Sequence, residues 1–211
     1  MIVPFGLGLG ALATMLVTRG EKRMTFPTPQ ANDWHGWNWP VPIWNGREPV
    51  ISDGFKEIKT DEHREHLGVD VMFRKIAGDP GFPYSSQHFT SQGGETPIIA
   101  AGPGVIWDAG KGRAWQLSID HGVVSRNAGG VVTWYQHLKR FDRAWKKGDR
   151  VRAGDVLGIM GGDTKEGEYP LVHLHFEMWF PRKGLPPRMW KTNPARYMRF
   201  WRKVRIQQGV V

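Results

Sequence analysis

The composition of the chain limits its fold and its chemistry. It has 211 residues, with 27 Gly, 15 Pro, 11 Trp and no Cys. Without Cys, disulfides and Cys-ligated zinc sites are excluded, so any bound metal must rely on His and carboxylate ligands. The length suffices for one domain with a sizeable core, and the many turn-forming residues favour short strands over a helical bundle.

The positive charge is concentrated at the C-terminal end. The net charge is +9, and the segment from Arg182 to the last residue holds nine Lys and Arg and no Asp or Glu. The rest of the chain is therefore formally neutral. We expect a basic C-terminal extension over 182–211, which either binds an anionic partner (a wall polymer, lipid or nucleic acid) or only keeps the protein solvated.

The first 48 residues divide into two stretches. Residues 2–18 are apolar and uncharged, and the basic sequence RGEKR follows them, whereas a secretory signal carries its positive charge in front of the apolar stretch. We therefore expect 1–23 to be a weak membrane anchor or an arm packed in a larger assembly. Residues 24–48 are rich in Pro and Trp, and we predict an extended segment that packs its tryptophans on the body.

From Pro49 the pattern changes to short apolar runs broken by turn residues. Ile, Val, Trp and Tyr dominate runs such as PVISDGF, HLGVDVMF, TPIIAAGPGVIWDAG and LVHLHFEMWF, which is typical of antiparallel β structure. We predict an all-β fold, an antiparallel barrel-sandwich hybrid over 49–181, with a long loop at 74–95. The Asn-Pro pair at 193–194 is predicted to begin a short basic helix that reaches about Val204.

Two short motifs supply side chains that could bind one metal ion. In HLGVD, His66 and Asp70 are four residues apart and can converge if the chain turns at Gly68. In HLH, His173 and His175 share one face of a strand, because side chains two residues apart project to the same side. Two of these His residues together with Asp70 would give a zinc ion three protein ligands. Its fourth coordination position would remain open for water, which is the catalytic type of zinc site.

A third motif, YQHL with His137, lies at the end of another apolar run. The motifs HLGVD, YQHL and HLHFE, in this order, resemble those of the lysostaphin-type, LytM-like zinc metallopeptidases, which hydrolyse peptidoglycan cross-links. The resemblance implies that His66, Asp70 and His175 hold one zinc ion and that His137 and His173 are the catalytic imidazoles. It leaves open which of the two imidazoles is the general base.

The chemistry of such a site fits peptide hydrolysis. Zinc polarises the scissile carbonyl and lowers the pKa of water toward neutrality. One imidazole can accept a proton from that water and pass it to the leaving amine, and a second can hydrogen-bond the developing oxyanion. The resemblance thus implies an endopeptidase that acts on peptidoglycan peptides at the bacterial envelope, either periplasmic or membrane-associated, or in a phage virion.

Two alternatives differ from this prediction in class. One is a structural component of a virion or phage tail that carries the peptidase for penetration of the cell wall. The other is a non-catalytic wall-binding regulator, although such relatives usually lack metal ligands, and here the full set is present. The loop at 74–95 is longer than its counterpart in the resembling family, so we expect a different rim for the substrate groove.

The remaining candidate residues are assigned no catalytic role. His121 lies in a hairpin-turn setting and is predicted to be structural. Glu177 shares the strand face of the HLH motif and is left without an assigned role. No ligand role is expected for the other three His residues, His35, His63 and His88.

Overall fold

In a computed structural model of the protein, the regular secondary structure consists almost entirely of strands. The structure describes residues 26–56, 65–77, 95–112, 114–125, 129–162 and 172–207. The strands are β1 (Ile43–Trp44), β2 (Pro49–Asp53), β3 (Val69–Phe73), β4 (Pro97–Ile99), β5 (Gly104–Lys111), β6 (Trp115–Ser125), β7 (Gly129–Phe141), β8 (Arg150–Val151), β9 (Val156–Met160), β10 (Leu174–Trp179), β11 (Lys191–Thr192) and β12 (Arg205–Ile206). The helical elements are two 3-10 turns (Ala31–Trp34 and Pro187–Trp190) and the one-turn helix α1 (Ala195–Met198). The predicted all-β fold is confirmed.

The larger sheet is antiparallel and runs in the order β2–β3–β10–β7–β6–β5–β8. Strand β11 pairs with β10, while β9 pairs with both β7 and β4. The described strands form open, sandwich-like sheets and no closed barrel. The predictions for 1–23, for most of the loop at 74–95 and for His63 and His88 lie outside the described residues.

Strand β10 lies at the centre of the arrangement that positions the site. Leu174 and Phe176 are fully buried in the core, so His175 projects to the opposite face of the strand. In the register of the sheet, His175 is directly opposite Asp70 of β3 on one side and Gln136 of β7 on the other. The three neighbouring strands therefore bring parts of all three motifs to one face of the sheet.

The Trp-rich N-terminal segment packs on the body as predicted. Trp34, Trp37 and Trp44 are all buried. The ring of Trp34 contacts Tyr197 at 5.2 Å and Trp201 at 5.9 Å between centroids. Strands β1 and β12 then form a parallel pair that joins the beginning of the described chain to its end. Both terminal regions are thus part of one apolar cluster with the sheet.

The helix predicted to run from 193–194 to about Val204 is much shorter than expected. Helix α1 covers only Ala195–Met198. Beyond it, the amide of Arg202 donates to the carbonyl of Trp37, and Ile43 donates to the carbonyl of Val204. The prediction was wrong in length because extended pairing with the N-terminal segment satisfies these backbone groups. In the part of the chain that the structure describes, no helix has the length and apolar character needed to cross a bilayer.

Candidate metal centre

The three predicted ligands converge on one point. His66 Nε2 lies 2.9 Å from His175 Nδ1, and each of these nitrogens lies about 3 Å from Asp70 Oδ1, at 3.1 Å and 3.0 Å respectively. Donor atoms around a tetrahedral zinc ion are about 3.3 Å apart, given bond lengths of about 2.0 to 2.1 Å. The three side chains form a group that could hold a metal ion.

Neighbouring acceptors fix which nitrogen of each ring carries a proton. Nδ1 of His66 lies 2.8 Å from the carbonyl oxygen of Gly54, and Nε2 of His175 lies 3.2 Å from Oε1 of Glu177. Because a carbonyl and a carboxylate accept hydrogen bonds, these two nitrogens must be the protonated ones. The other nitrogen of each neutral ring then presents a lone pair to Asp70. Three lone-pair atoms at these distances repel one another unless a cation lies between them, so the residues fit a bound metal ion.

The pKa values of these groups indicate the same demand for positive charge. Burial tends to lower the pKa of His175, but hydrogen bonds with Asp70 and Glu177 raise it to about 9. Burial likewise opposes a rise at His66, yet its bonds to Asp70 and to the Gly54 carbonyl raise its pKa. Burial tends to raise the pKa of Asp70, but hydrogen bonds from both His residues hold it well below its usual value. The site thus favours an anionic carboxylate beside positive charge.

A glycine allows the close approach of the two ligand-bearing segments. At Gly68, an added Cβ would lie 2.6 Å from His175 Nε2 and 2.7 Å from the carbonyl oxygen of Phe176. Any larger residue would therefore displace β10 or its ligand. The turn expected between His66 and Asp70 does occur at this position, where Gly68 forms a bend immediately before β3.

The two predicted catalytic imidazoles lie beside the three ligands. The rings of His137 and His173 are 4.8 Å apart between centroids, and His137 is 5.7 Å from His175. Nε2 of His173 lies 3.7 Å from Asp70 Oδ2. The side chains of His66, Asp70, His173 and His175 are 12% to 19% exposed, so they are sheltered from bulk water but within reach of a substrate.

His137 has an unusual backbone conformation. Its φ is 66°, a left-handed value that costs a non-glycine residue about 1 kcal/mol or more and that often marks a functional position. Gly161 supports this conformation, since its amide donates to the His137 carbonyl at 2.7 Å and its own carbonyl accepts from the amide of His173 at 3.1 Å. A Cβ at Gly161 would lie 2.6 Å from the backbone nitrogen of Lys139. The backbone of Gly161 is thus hydrogen-bonded to both residues that carry the predicted catalytic imidazoles.

Glu177 has a larger part in the site than the sequence indicated. It is only 3% exposed and accepts a hydrogen bond from the His175 ring. Burial tends to raise its pKa, but the bond with His175 and the charge of Lys191 lower it. Its place on the strand face, two residues after His175, was the available signal. No sequence signal indicated that the Gly54 carbonyl orients His66, because every residue has a backbone carbonyl whatever its type.

The remaining described His residues are not part of this centre. His35 is exposed at the end of the first 3-10 turn. His121 packs against Trp37 at 4.5 Å and places Nδ1 2.7 Å from the Pro103 carbonyl oxygen. This agrees with the structural role predicted for His121.

Comparison with known proteins finds a match to one peptidase family. Residues 87–187 match the description Peptidase family M23. The match covers 101 of the 211 residues, just under half of the chain. The matched range contains His137, His173 and His175, and it begins after His66 and Asp70. The M23 assignment agrees with the resemblance drawn from the sequence motifs.

Individual relatives of the chain are matched over only part of their own lengths. The chain is 34% identical over 100 residues to an uncharacterized metalloprotease of Buchnera aphidicola, covering 46% of this chain and 24% of that protein. It is 35% identical over 82 residues to the peptidoglycan DD-endopeptidase ShyC of Vibrio cholerae, covering 39% and 17%. The chain thus spans a quarter or less of these relatives.

A solved structure supports the fold assignment. A Ruminococcus gnavus protein named as a lytM glycyl-glycine endopeptidase superposes with a TM-score of 0.54 at 22% identity, covering 83% of this chain and 64% of that one. At this level of identity the likeness concerns the lysostaphin-like fold alone.

Proposed function

We propose that this protein is a zinc-dependent endopeptidase that hydrolyses peptide cross-links or bridges of bacterial peptidoglycan. The observation that carries the proposal is the convergence of three lone-pair donors, His66 Nε2, His175 Nδ1 and Asp70 Oδ1, within 3.1 Å of one another. Family M23 membership and a peptidoglycan DD-endopeptidase among the relatives support the substrate class. The expected place of action is the bacterial envelope.

The proposed roles of the other two imidazoles follow from their position beside the ligands. When bound, zinc would supply Lewis acidity toward a carbonyl oxygen and water. One ring of the His137–His173 pair accepts a proton from the attacking water and returns it to the leaving amine. The other donates a hydrogen bond to the oxyanion of the tetrahedral intermediate, an interaction worth about 3 kcal/mol of barrier lowering.

Digestion of purified peptidoglycan by the recombinant protein, with and without a zinc chelator, tests this function. We expect chelator-sensitive release of peptide fragments, and mass analysis of the new termini will identify the bond that is cut. A folded, zinc-loaded protein that binds peptidoglycan and releases no fragments would contradict the proposal and favour the non-catalytic wall-binding alternative.

A second proposed function is attachment to an anionic lipid surface through the C-terminal extension. Arg196, Arg199 and Arg202 are exposed at three-residue spacing, and among the described residues no carboxylate forms an ion pair with them. The buried side of the same segment receives the N-terminal chain, where the Tyr197 hydroxyl donates to the Pro27 carbonyl at 3.1 Å. The arginines therefore lie beside the point from which the chain leads back to the apolar stretch 2–18.

Apolar and basic segments reinforce each other at a membrane, because each basic residue near an anionic surface contributes about 1 kcal/mol. We expect the full-length chain to sediment with vesicles that contain anionic lipid and to bind zwitterionic vesicles less. Replacing Arg196, Arg199 and Arg202 with Gln should reduce binding far more than the same change at the exposed residues Lys146, Lys147 and Arg150. Equal losses in the two variants, or no preference for anionic vesicles, would contradict this role.

A further inference from the structure

The basic C-terminal extension reaches the metal centre at two points. Lys191 Nζ lies 2.9 Å from Oε1 and 2.8 Å from Oε2 of Glu177. Arg188 forms an ion pair with Glu65, the residue that precedes the ligand His66. Strand β11 carries Lys191 to this place, because it pairs with the end of β10 and sets Lys191 opposite Trp179. A segment beyond the range that matches family M23 therefore contacts both ligand-bearing parts of the chain.

Glu177 is held from several sides. Besides the His175 ring, Trp179 Nε1 donates to its Oε2 at 2.7 Å, and Gln136 Nε2 donates to its Oε1 at 3.3 Å. Lys191 is the cation in this set, and its ammonium also lies 5.3 Å from the centre of the Trp179 ring. A carboxylate that is 3% exposed needs such a partner, because an uncompensated buried charge is strongly unfavourable.

We infer that Lys191 and Glu177 are positioning residues for the metal centre, and that the C-terminal extension is thereby part of that centre. Lys191 fixes the Glu177 carboxylate, and Glu177 holds the Nε2–H of His175, so that Nδ1 points at His66 and Asp70. The inference rests on the proposed function, because it takes these three residues as zinc ligands. Neither Lys191 nor Glu177 touches the reacting atoms.

The consequence of losing Lys191 follows from this chain of contacts. Without the Lys191 ammonium, the buried Glu177 carboxylate loses the cation that neutralises it, and we expect it to shift away from the His175 ring. His175 then loses the acceptor that fixes its ring orientation. Groups that orient a metal-binding His in this way typically contribute a factor of about 10 to 100 to metal affinity.

Lys203 offers a matched control in the same extension. Its ammonium forms an ion pair with Glu48 at 3.1 Å and lies 4.6 Å from the centre of the Trp39 ring. It therefore repeats the carboxylate and indole contacts of Lys191 at a place that is remote in the fold from the ligands. Replacing Lys203 removes the same charge from the same extension, although the side chain of its partner Glu48 is 66% exposed whereas that of Glu177 is 5% exposed.

The test is the zinc dissociation constant of the full-length, metal-stripped protein, measured by competition with a fluorescent zinc chelator. We expect Lys191→Met to bind zinc about tenfold more weakly and Lys203→Met to stay within about twofold of wild type, with Lys191→Arg restoring most of the loss. Equal zinc affinity of Lys191→Met and wild type, an equal loss in Lys203→Met, or no recovery with Lys191→Arg would each overturn the inference.

A second measurement keeps the test decisive if Lys191→Met folds poorly. Glu177→Gln retains the shape of the side chain and should also weaken zinc binding by about tenfold or more. Because Lys191 acts through Glu177, the double variant Glu177→Gln/Lys191→Met should bind zinc no more weakly than Glu177→Gln alone. Additive losses, or wild-type affinity in Glu177→Gln, would overturn the inference.

These measurements need no peptidoglycan, so the two proposals can fail separately. Tight zinc binding by wild type, together with wild-type affinity in the Lys191 and Glu177 variants, would overturn the positioning role and leave the peptidase proposal standing. A wild-type protein without measurable zinc affinity would overturn both.

Discussion

The chemistry of the centre depends on which nitrogen of each ring carries a proton. In His66 the Gly54 carbonyl holds the proton on Nδ1, and in His175 the Glu177 carboxylate holds it on Nε2. The two rings thus present different nitrogens to the same point, Nε2 from one and Nδ1 from the other. This difference arises from the direction of approach, since His66 precedes β3 whereas His175 lies within β10.

Substitution of the two His residues of the HLH motif should separate metal binding from turnover. We expect His175→Ala to abolish zinc binding, because the remaining two ligands cannot retain the ion in a catalytic site. We expect His173→Ala to keep zinc and lose about 10²- to 10⁴-fold in turnover, the usual effect of removing a general acid–base group. Chelator competition and peptidoglycan turnover measure the two effects. Full activity of His173→Ala would show that its catalytic assignment is wrong.

His121 should make the stability of the fold depend on pH. Burial lowers the pKa of His121 to about 4, and a neutral ring accepts a hydrogen bond at Nε2, which lies 2.7 Å from Thr133 Oγ1. In the unfolded chain this ring has an ordinary pKa near 6.5. Between about pH 6.5 and about pH 4, the ring is therefore protonated in the unfolded chain and neutral in the folded chain. The contribution is therefore complete above about pH 6.5 and is lost as the pH falls toward about 4.

Urea unfolding of the zinc-loaded protein measures this effect. We expect wild type to lose about 1 to 2 kcal/mol more unfolding free energy than His121→Gln between about pH 7.5 and about pH 5, since one pKa unit corresponds to about 1.4 kcal/mol and the ring is only partly shielded. Parallel pH profiles for the two proteins would show that His121 does not carry this dependence.

Strand β10 is the element on which the site depends most. Its alternation places Leu174 and Phe176 in the core and turns His175 and Glu177 toward the centre. The backbone of Phe176 and the ring of His175 lie so close to Gly68 that no side chain fits there. The packing of β10 against the turn before β3 therefore sets the distance between the ligands.

A methyl group at Gly68 should disturb this packing. We expect Gly68→Ala to weaken zinc binding and to lower the unfolding free energy by about 1 to 3 kcal/mol, the usual cost of overpacking. Gly110→Ala is the control, because a Cβ at Gly110 in β5 meets no atom within 4 Å. Chelator competition and urea unfolding of both variants provide the measurement. Unchanged zinc affinity in Gly68→Ala would contradict the role given to this close approach.

Side-chain alternation and motif order made part of the site predictable from the sequence. The shared face of His173 and His175 came from the period of a strand, and the all-β fold came from short apolar runs between turns. The left-handed conformation of His137 could not be predicted in the same way, because it arises from a bulge in β7 and from its hydrogen bond with Gly161. The contact of Lys191 with Glu177 requires the pairing of β11 with β10. Strand β11 is only two residues long, and so short a strand has no recognisable pattern in the sequence.

The helix predicted near the C-terminus shows how tertiary pairing overrides local preference. The Asn-Pro start was right, since Pro194 directly precedes α1. The chain then leaves the helix after one turn, because β12 pairs with β1 of the Trp-rich segment. The predicted burial of the tryptophans is confirmed, because a large aromatic surface by itself favours burial. The pairing of β12 with β1 could not be predicted in this way, because it depends on a partner about 160 residues away.

For the whole molecule, the terminal segments stabilise the sheet by packing on each other. Trp34 is 1% exposed and contacts Trp37, Tyr197 and Trp201. We expect Trp34→Ala to lower the unfolding free energy by about 3 to 5 kcal/mol, the range for large aromatic truncations in a core. His35→Ala, at the exposed neighbouring position, should change it by less than about 0.5 kcal/mol. A small effect of Trp34→Ala in urea unfolding would mean that the N-terminal segment is only loosely attached.

This packing also connects the function to both ends of the chain. The extension that returns along β10 carries Lys191 to the metal centre, and its exposed arginines lie beside the N-terminal chain. We therefore regard the proposed peptidase activity as a property of the sheet together with its two terminal segments.

The central claim is that His66, Asp70 and His175 hold a zinc ion that is needed to cleave peptidoglycan peptides. The most direct test is to strip the full-length protein of metal, restore one equivalent of zinc, and follow fragment release from purified peptidoglycan for wild type and His175→Ala. We predict that release by wild type stops on stripping and returns with zinc, while His175→Ala releases nothing in either state. Fragment release by the stripped wild type, or by zinc-treated His175→Ala at a wild-type rate, would contradict the claim.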